Sequence, residues 1–229
     1  MGKRCTEMTI VSIKTGTGTE LRRIELSDGS FFSFKTGYLP PVFTDESLYT
    51  PGTAEGREIS AGEEAGFRFA SACLRAERAA LRLIARAEQT VSGLGRKLEQ
   101  RGNKPLCVRA VVSRLAGTGL VDDRRFARLW LETRLGRRRD SPRRLLSALR
   151  SRGISREDAG TALQSVLNDE TERALLGRFM EKQRHLRGFC AAEIRSETDV
   201  LRSVRFKLRS EGFSSGVIQR FFDEQEDGA

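Results

Sequence analysis

Three stretches of this chain carry the same punctuation. Leu98-x3-Gly102, Leu149-x3-Gly153 and Leu208-x3-Gly212 share one spacing. Past each Gly, an apolar residue stands at the sixth position (Val108, Ala159, Ile218) and an apolar pair at the ninth and tenth (Val111-Val112, Ala162-Leu163, Phe221-Phe222). Two residues past each Gly comes a helix start: Lys104 before Pro105, then Ser155, then Ser214. A Leu closing one helix, a Gly suited to a left-handed backbone, and a new start just beyond it describe a helix–turn–helix unit used three times. With a helix preceding each, the unit is three helices in roughly 45–50 residues. A unit that small has little core of its own, and in series such units form a curved array. The expected fold is therefore mainly α: three tandem three-helix units, at 61–116, 117–168 and 169–229, in an elongated curved array. A small N-terminal antiparallel β meander (1–40) and a linker (41–60) precede them. That shape suits binding along a polymer better than catalysis in a pocket.

The middle unit has the clearest signals. Gly117 and Gly119 end the preceding helix, Asp122 is placed to cap the next one, and Asp123 adds negative charge where the helix dipole is positive. Val121 and Phe126 have the spacing of a hydrophobic staple, and Phe126, Leu129, Trp130 and Thr133 are expected to form one face. Ser141-Pro142 opens a second helix with Leu145, Leu146 and Leu149 as its stripe, ending at Gly153. Ser155-Arg156-Glu157-Asp158 resembles a capping box, with Asp in place of the longer Glu or Gln, before Ala159, Ala162, Leu163 and Val166.

Upstream, Thr9–Ile13, Leu21–Leu26 and Phe31–Phe34 are short and rich in β-branched and aromatic residues, with Asp28-Gly29 as a two-residue hairpin turn, both positions at positive φ. Helical spacing runs from about Ser60 to Glu88, as one bent helix or two. Thr90 and Pro105 open the next helices, and others are expected near Asp169, over Val200–Leu208 and from Val217. Residues 184–197 show no clean register.

Charge narrows the function. The chain carries a formal net charge of +10. Between Asp122 and Arg156 stand 12 Arg against 4 acids, so the surplus is concentrated in the middle unit and points to a polyanionic or acidic partner. No apolar run is long enough to span a bilayer, and Met1-Gly2-Lys3-Arg4 is not followed by an apolar signal core, so a cytoplasmic protein is expected. Cys5, Cys73, Cys107 and Cys190 are widely spaced, as reduced thiols are.

The string Gly119-Leu120-Val121-Asp122-Asp123-Arg124-Arg125-Phe126-Ala127, set beside the repeats, resembles the RecX family of bacterial recombination regulators. So do Leu149-Arg-Ser-Arg-Gly153-Ile154, Glu211-Gly212-Phe213-Ser214 and Ala79–Arg86, while the Thr9–Phe34 meander is similar to a β extension carried by some members. The resemblance implies a regulator that lies along the RecA–DNA filament and damps its recombinase, ATPase and coprotease activities. It implies no enzymatic activity and no cofactor.

The residues themselves offer little for catalysis. His185 is alone in an Arg-rich stretch, and Gly16-Thr17-Gly18 lacks the Gly-Lys-Ser/Thr continuation of a phosphate loop. Asp122 and Asp123, adjacent on a helix, point about 100° apart and read as capping residues rather than a metal pair. No catalytic, cofactor-binding or metal-ligating residue is assigned. Guanidinium groups grip phosphates and carboxylates through paired hydrogen bonds. The candidate partner- and DNA-binding residues are Arg124, Arg125, Arg128, Arg137, Arg138, Arg139, Arg143, Arg144 and Arg150, with Arg143 and Arg150 seven apart on one face. Trp130 and Phe126 are expected in the core rather than stacked on bases. The expected partners are the RecA filament and single- or double-stranded DNA, bound weakly and without sequence preference, by a monomer that engages no membrane. The alternative is an independent helix-turn-helix DNA-binding protein or transcription regulator; an RNA-binding adaptor is a third reading.

Overall fold

The computed structural model describes residues 8–16, 20–41, 43, 45–136, 140–186 and 197–227, with the backbone alone at 184–186, 197–200 and 225–227. They form two compact units, Met1–Val121 and Asp122–Ala229. The chain is mostly helical, with a small antiparallel N-terminal sheet.

In the first unit the strands are β1 (Met8–Thr15), β2 (Leu21–Leu26), β3 (Phe31–Lys35) and β4 (Glu58–Ile59), in the order β3-β2-β1-β4. Sequence patterning predicts three strands; the fourth has only two residues and no alternation to betray it. It forms because Ile10 pairs outward on both its backbone groups: Ile10 N–H donates to Arg57 O at 2.9 Å, and Gly56 N–H donates to Ile10 O at 2.8 Å. The stretch expected to be a linker, 41–60, is built into this unit, with Phe43, Tyr49 and Ala54 buried in its core. Single apolar residues pinned at turns leave no period to read.

The Asp28-Gly29 turn also differs from expectation. Gly29 has φ +80°, but no residue other than glycine has positive φ among the described residues, so the loop is not a two-residue turn of that kind. Gly29 N–H donates to Leu26 O, and Leu26 N–H to Ser30 O, both at 2.9 Å, which makes a three-residue loop with a glycine bulge. Asp28 Oδ1 accepts from Ser30 N–H at 2.9 Å, which stabilises Asp28 in the ordinary backbone region.

α1 (Ala61–Ile84) is one unbroken helix, opened by a full capping box between Ser60 and Glu63. Its Phe67 packs against Phe34 (ring centroids 5.2 Å apart), Phe43 (5.4 Å) and Phe32 (6.2 Å), which fixes the sheet on the helix. α2 (Val91–Glu99), capped by Thr90, and α3 (Pro105–Gly117), opened by Pro105, complete the unit through Leu94, Leu98, Val108, Val111 and Leu115. Cys73 and Cys107 are buried free thiols. Burial pushes the Cys73 thiol up, and Cys107 beside it adds to the shift.

The second unit is all helix: α4 (Asp123–Leu135), α5 (Pro142–Arg150), α6 (Arg156–Val166), α7 (Asp169–Leu186), α8 (Glu197–Ser210) and α9 (Ser215–Asp227). One core joins all six: Ala127, Leu131, Leu145, Leu149, Leu163, Leu176, Phe179, Leu208 and Ile218 belong to a single buried cluster. Ser141, fully buried, ties α5 to the turn after α8: its hydroxyl lies 2.5 Å from Glu211 Oε2, and Arg143 N–H donates to Glu211 O at 2.9 Å.

The recurring Leu-x3-Gly has one backbone geometry. Gly102, Gly153 and Gly212 have φ of 81°, 87° and 92°. The residue after each Gly donates to the carbonyl of the Leu that opens the motif: Asn103 to Leu98 (3.2 Å), Ile154 to Leu149 (3.3 Å) and Phe213 to Leu208 (3.2 Å). This is the Schellman closure of a helix, and the three Leu side chains it holds are buried.

α4 is rotated from its expected face. Ala127, Leu131 and Leu135 are buried, Phe126 and Trp130 flank them half-buried, and Leu129 is 40% exposed. The small Ala127 lets α4 approach α6 closely, which a stripe led by Phe126 and Trp130 would prevent. Val121 lies in the core of the first unit and Phe126 against that of the second.

Candidate functional site

The candidate arginines fall into four environments. On α4, Arg124 Nε lies 2.6 Å from Asp158 Oδ1 on α6, and Arg128 lies 3.8 Å from Glu132. Arg124 therefore ties helix to helix, and the Asp158 carboxyl is held below its usual range by that bond and, after it, by the Ser155 hydroxyl. Asp158 does not close a capping box; its shorter side chain bonds the Ser155 hydroxyl (2.8 Å) and Arg124 instead of turning back to the N-cap amide. Arg125 is half-buried at the helix start, its N–H donated to the capping Asp122 at 3.0 Å. Arg137, Arg138 and Arg139 lie outside the described residues, as do the side chain of His185 and Cys5 and Cys190.

Arg143 and Arg150, on α5, make a site. Both are exposed, and they line a groove of about 640 Å³ within the second unit, between α5, α6 and the turn after α8. A third guanidinium joins them from α6: Arg156, which sequence reasoning did not select. Its signal was faint, a single Arg at the first position of a helix behind a capping Ser. Leu146, Ala159 and Leu163 line the apolar part of the groove, and no carboxylate lines it. Glu211, the nearest acid in sequence to Gly212, is turned to Ser141. Arg143, Arg150 and Arg156 form no ion pair among the described residues. Arg144 is exposed on α5 but points about 100° away from Arg143 and does not line the groove.

Gly212 is required where α5 meets this turn. A Cβ there would lie 3.3 Å from both the Arg143 amide nitrogen and Pro142 Cβ, so its positive φ and the close approach both demand glycine. Trp130 stands apart from the groove. Arg134 and Arg152 place their guanidinium carbons 4.6 and 4.8 Å from its ring centroid, so the indole binds two arginines of its own chain rather than an open surface.

The arrangement is a three-point cationic cleft with an apolar wall. It can hold a phosphate or carboxylate by paired hydrogen bonds and bury the hydrophobic part of whatever carries it. Among the described residues no group of three His, Cys, Asp or Glu could hold a metal ion, and no helix is long and apolar enough to cross a membrane.

Residues 122–163, which span α4 to α6 and the groove's three arginines, match the family described as RecX, second three-helix domain. The protein "Regulatory protein RecX" of Treponema pallidum (strain Nichols) is 34% identical over 161 residues, covering 70% of this chain and 92% of that protein. Its counterpart of the same name in Thermus thermophilus is 33% identical over 150 residues, 65% of this chain and 92% of the relative. A solved structure titled "Crystal structure of regulatory protein RecX" matches with a TM-score of 0.62 at 21% identity, covering 94% of this chain and 99% of that one. The crystal structure of RecX from Lactobacillus salivarius matches with a TM-score of 0.52 at 18% identity, over 69% of this chain and 98% of the other. These two likenesses concern the fold.

Proposed function

The chain belongs to the RecX family of regulatory proteins, and from that premise we propose that it binds the RecA–DNA filament and damps its recombinase, ATPase and coprotease activities. The observation that carries the reading is the acid-free groove whose three arginines, Arg143, Arg150 and Arg156, lie inside the matched segment. In this reading three three-helix units, 61–116, 117–168 and 169–229, act in tandem along the filament, and the middle one grips DNA phosphate. In this reading Arg137, Arg138, Arg139 and Arg144 take part in the same contact. Contact through phosphate is blind to sequence and weakens steeply with salt. The protein acts as a cytoplasmic monomer, without cofactor, in DNA repair by recombination.

The test is the ATP hydrolysis rate of RecA on single-stranded DNA, titrated with this protein, beside its binding to the same DNA without RecA. Inhibition well below the concentration that coats bare DNA is expected. Inhibition only at coating concentrations would replace the reading with that of an independent DNA-binding protein. Replacing Arg143, Arg150 and Arg156 together by Ala should raise the concentration for half inhibition by about tenfold or more, with the melting temperature unchanged. Undiminished inhibition would remove the groove from the interface.

A further inference from the structure

A second arginine-lined cleft lies in the first unit, among residues assigned no binding role above. One wall is β3, through Phe31, Phe32 and Ser33; the other is one stripe of α1, with Arg68, Arg75 and Arg78, and the cleft measures about 350 Å³. β3 is an edge strand. Its pairing with β2 shows which backbone groups are spare. Leu26 N–H donates to Ser30 O and Thr36 N–H to Glu20 O, with Phe32 and Phe34 opposite Ile24 and Arg22 between them. The even residues of β3 thus bond β2, and the N–H and C=O of Phe31 and Ser33 point out of the sheet. Among the described residues neither N–H has a hydrogen-bond partner. The edge is open, and no Pro or bulge guards it.

The charge of the cleft is one-sided. Arg75 and Arg78 are exposed and form no ion pair among the described residues, whereas Arg68 pairs with Glu64. No carboxylate lines the cleft, and Ser71, which does line it, has a buried hydroxyl without a partner.

We propose that this cleft binds an extended acidic segment of a partner protein, which joins the sheet beside β3 and sets alternate carboxylates against Arg75 and Arg78. Side chains alternate across a sheet, and Phe32 and Phe34 mark the α1 side by their packing on Phe67. Every second side chain of an added strand therefore lies on the side from which the arginines reach. A nucleic acid fits less well. A DNA backbone offers acceptors only, and an RNA backbone adds only its 2′-hydroxyls, so neither matches the alternating donors and acceptors of Phe31 and Ser33 as a peptide backbone does. The exposed aromatic ring at the cleft, Phe31, is already covered by the Arg23 guanidinium, 4.3 Å from its centroid. Strand addition draws affinity from main-chain hydrogen bonds and specificity from alternate side chains, which is what this cleft supplies.

The experiment uses the full chain and the fluorescence anisotropy of a labelled peptide of alternating Glu and Val. Two further peptides carry N-methyl groups, one on every Val, the other on every Glu. Strand addition uses one of these two sets of N–H groups, so one methylated peptide should lose about tenfold or more in affinity and the other should bind like the parent. Ser33→Pro, which removes an outward N–H and leaves the β2 bonds in place, and R75E/R78E should each weaken the parent peptide about tenfold. If Ser33→Pro lowers the melting temperature, the methylated peptides still test the same hydrogen bonds on the unaltered protein. Equal binding of all three peptides, or no binding of the parent, overturns the proposal. So does binding of a labelled oligo-dT that R75E/R78E abolishes while the parent peptide stays unbound; the cleft would then be a nucleic-acid site.

Discussion

The two units carry their arginines in contrasting ways. In the second, guanidinium groups stand on helices whose backbone is already satisfied, so Arg143, Arg150 and Arg156 present charge and an apolar wall and little else. In the first, Arg75 and Arg78 stand beside a strand edge with spare donors and acceptors. The same side-chain chemistry thus faces different ligands, because the secondary structure beside it decides whether a polyanion or a peptide backbone can complete the contact. The cores differ in parallel. The first is built round one aromatic residue, Phe67, touched by three other rings, while the second is a seam led by Leu residues, with one buried ring pair, Phe179 and Phe213, that closes six helices.

The largest effect expected from this difference comes from Phe67→Ala. Removing a buried ring that anchors both the sheet and Phe43 should cost the first unit about 3–5 kcal/mol. Trp130, the chain's single Trp, lies in the second unit and reports on it alone. The far-UV circular dichroism transition should therefore fall in temperature while the Trp130 fluorescence transition stays in place. Equal shifts of both signals would show that the two cores melt as one and would remove the basis for treating them separately.

A smaller effect separates two glycines that share one turn geometry. Gly102 and Gly212 have nearly the same positive φ, but a Cβ at Gly102 meets nothing within 4 Å, whereas at Gly212 it meets α5. Gly102→Ala should cost only the left-handed strain, about 1–2 kcal/mol. Gly212→Ala should cost measurably more, since Pro142 and the Arg143 backbone must also give way. Urea unfolding of the two variants checks this, and equal losses would mean that the approach of the α8–α9 turn to α5 is soft.

These glycines also show what was legible in the sequence. The Leu-x3-Gly spacing encodes a local event, a helix closing on itself, and local events survive in one dimension. The caps at Thr90, Asp122, Ser141 and Ser155 did so for the same reason, each a side chain bonded to an amide within three residues. What depended on distant partners was not legible. The buried face of α4 is chosen by how near α6 can come, so Ala127 outranks Phe126, and Phe126→Ala should cost less than removal of a fully buried ring. β4 exists only because Ile10 has backbone groups to spare. Among the arginines, charge density singled out one stretch but could not distinguish Arg124, bound to Asp158, from Arg156, which lines a groove. That distinction depends on acids 34 residues away, and composition does not record it.

The smallest expected effect tests that distinction through pH. Asp158 accepts from Arg124 at 2.6 Å and from Ser155 at 2.8 Å, and its carboxyl is held below the usual range, by Arg124 first. A folded pKa below the unfolded one, about 3.9, adds stability that is fully present above that value and is lost as pH falls through the folded pKa. Arg124 is largely exposed, so solvent screening keeps the contribution of the pair small. Asp158→Asn should therefore lower the Trp130 melting temperature slightly at about pH 7, and the gap to the parent should close as pH falls through the folded pKa and the parent carboxyl also becomes neutral. Glu132→Gln, at a looser and more exposed pair, should show no gap at either pH. A gap for Asp158→Asn that persists in acid would assign the effect to the shape of the cap rather than its charge, and Arg124 would rejoin Arg143 and Arg150 as a guanidinium open to a partner.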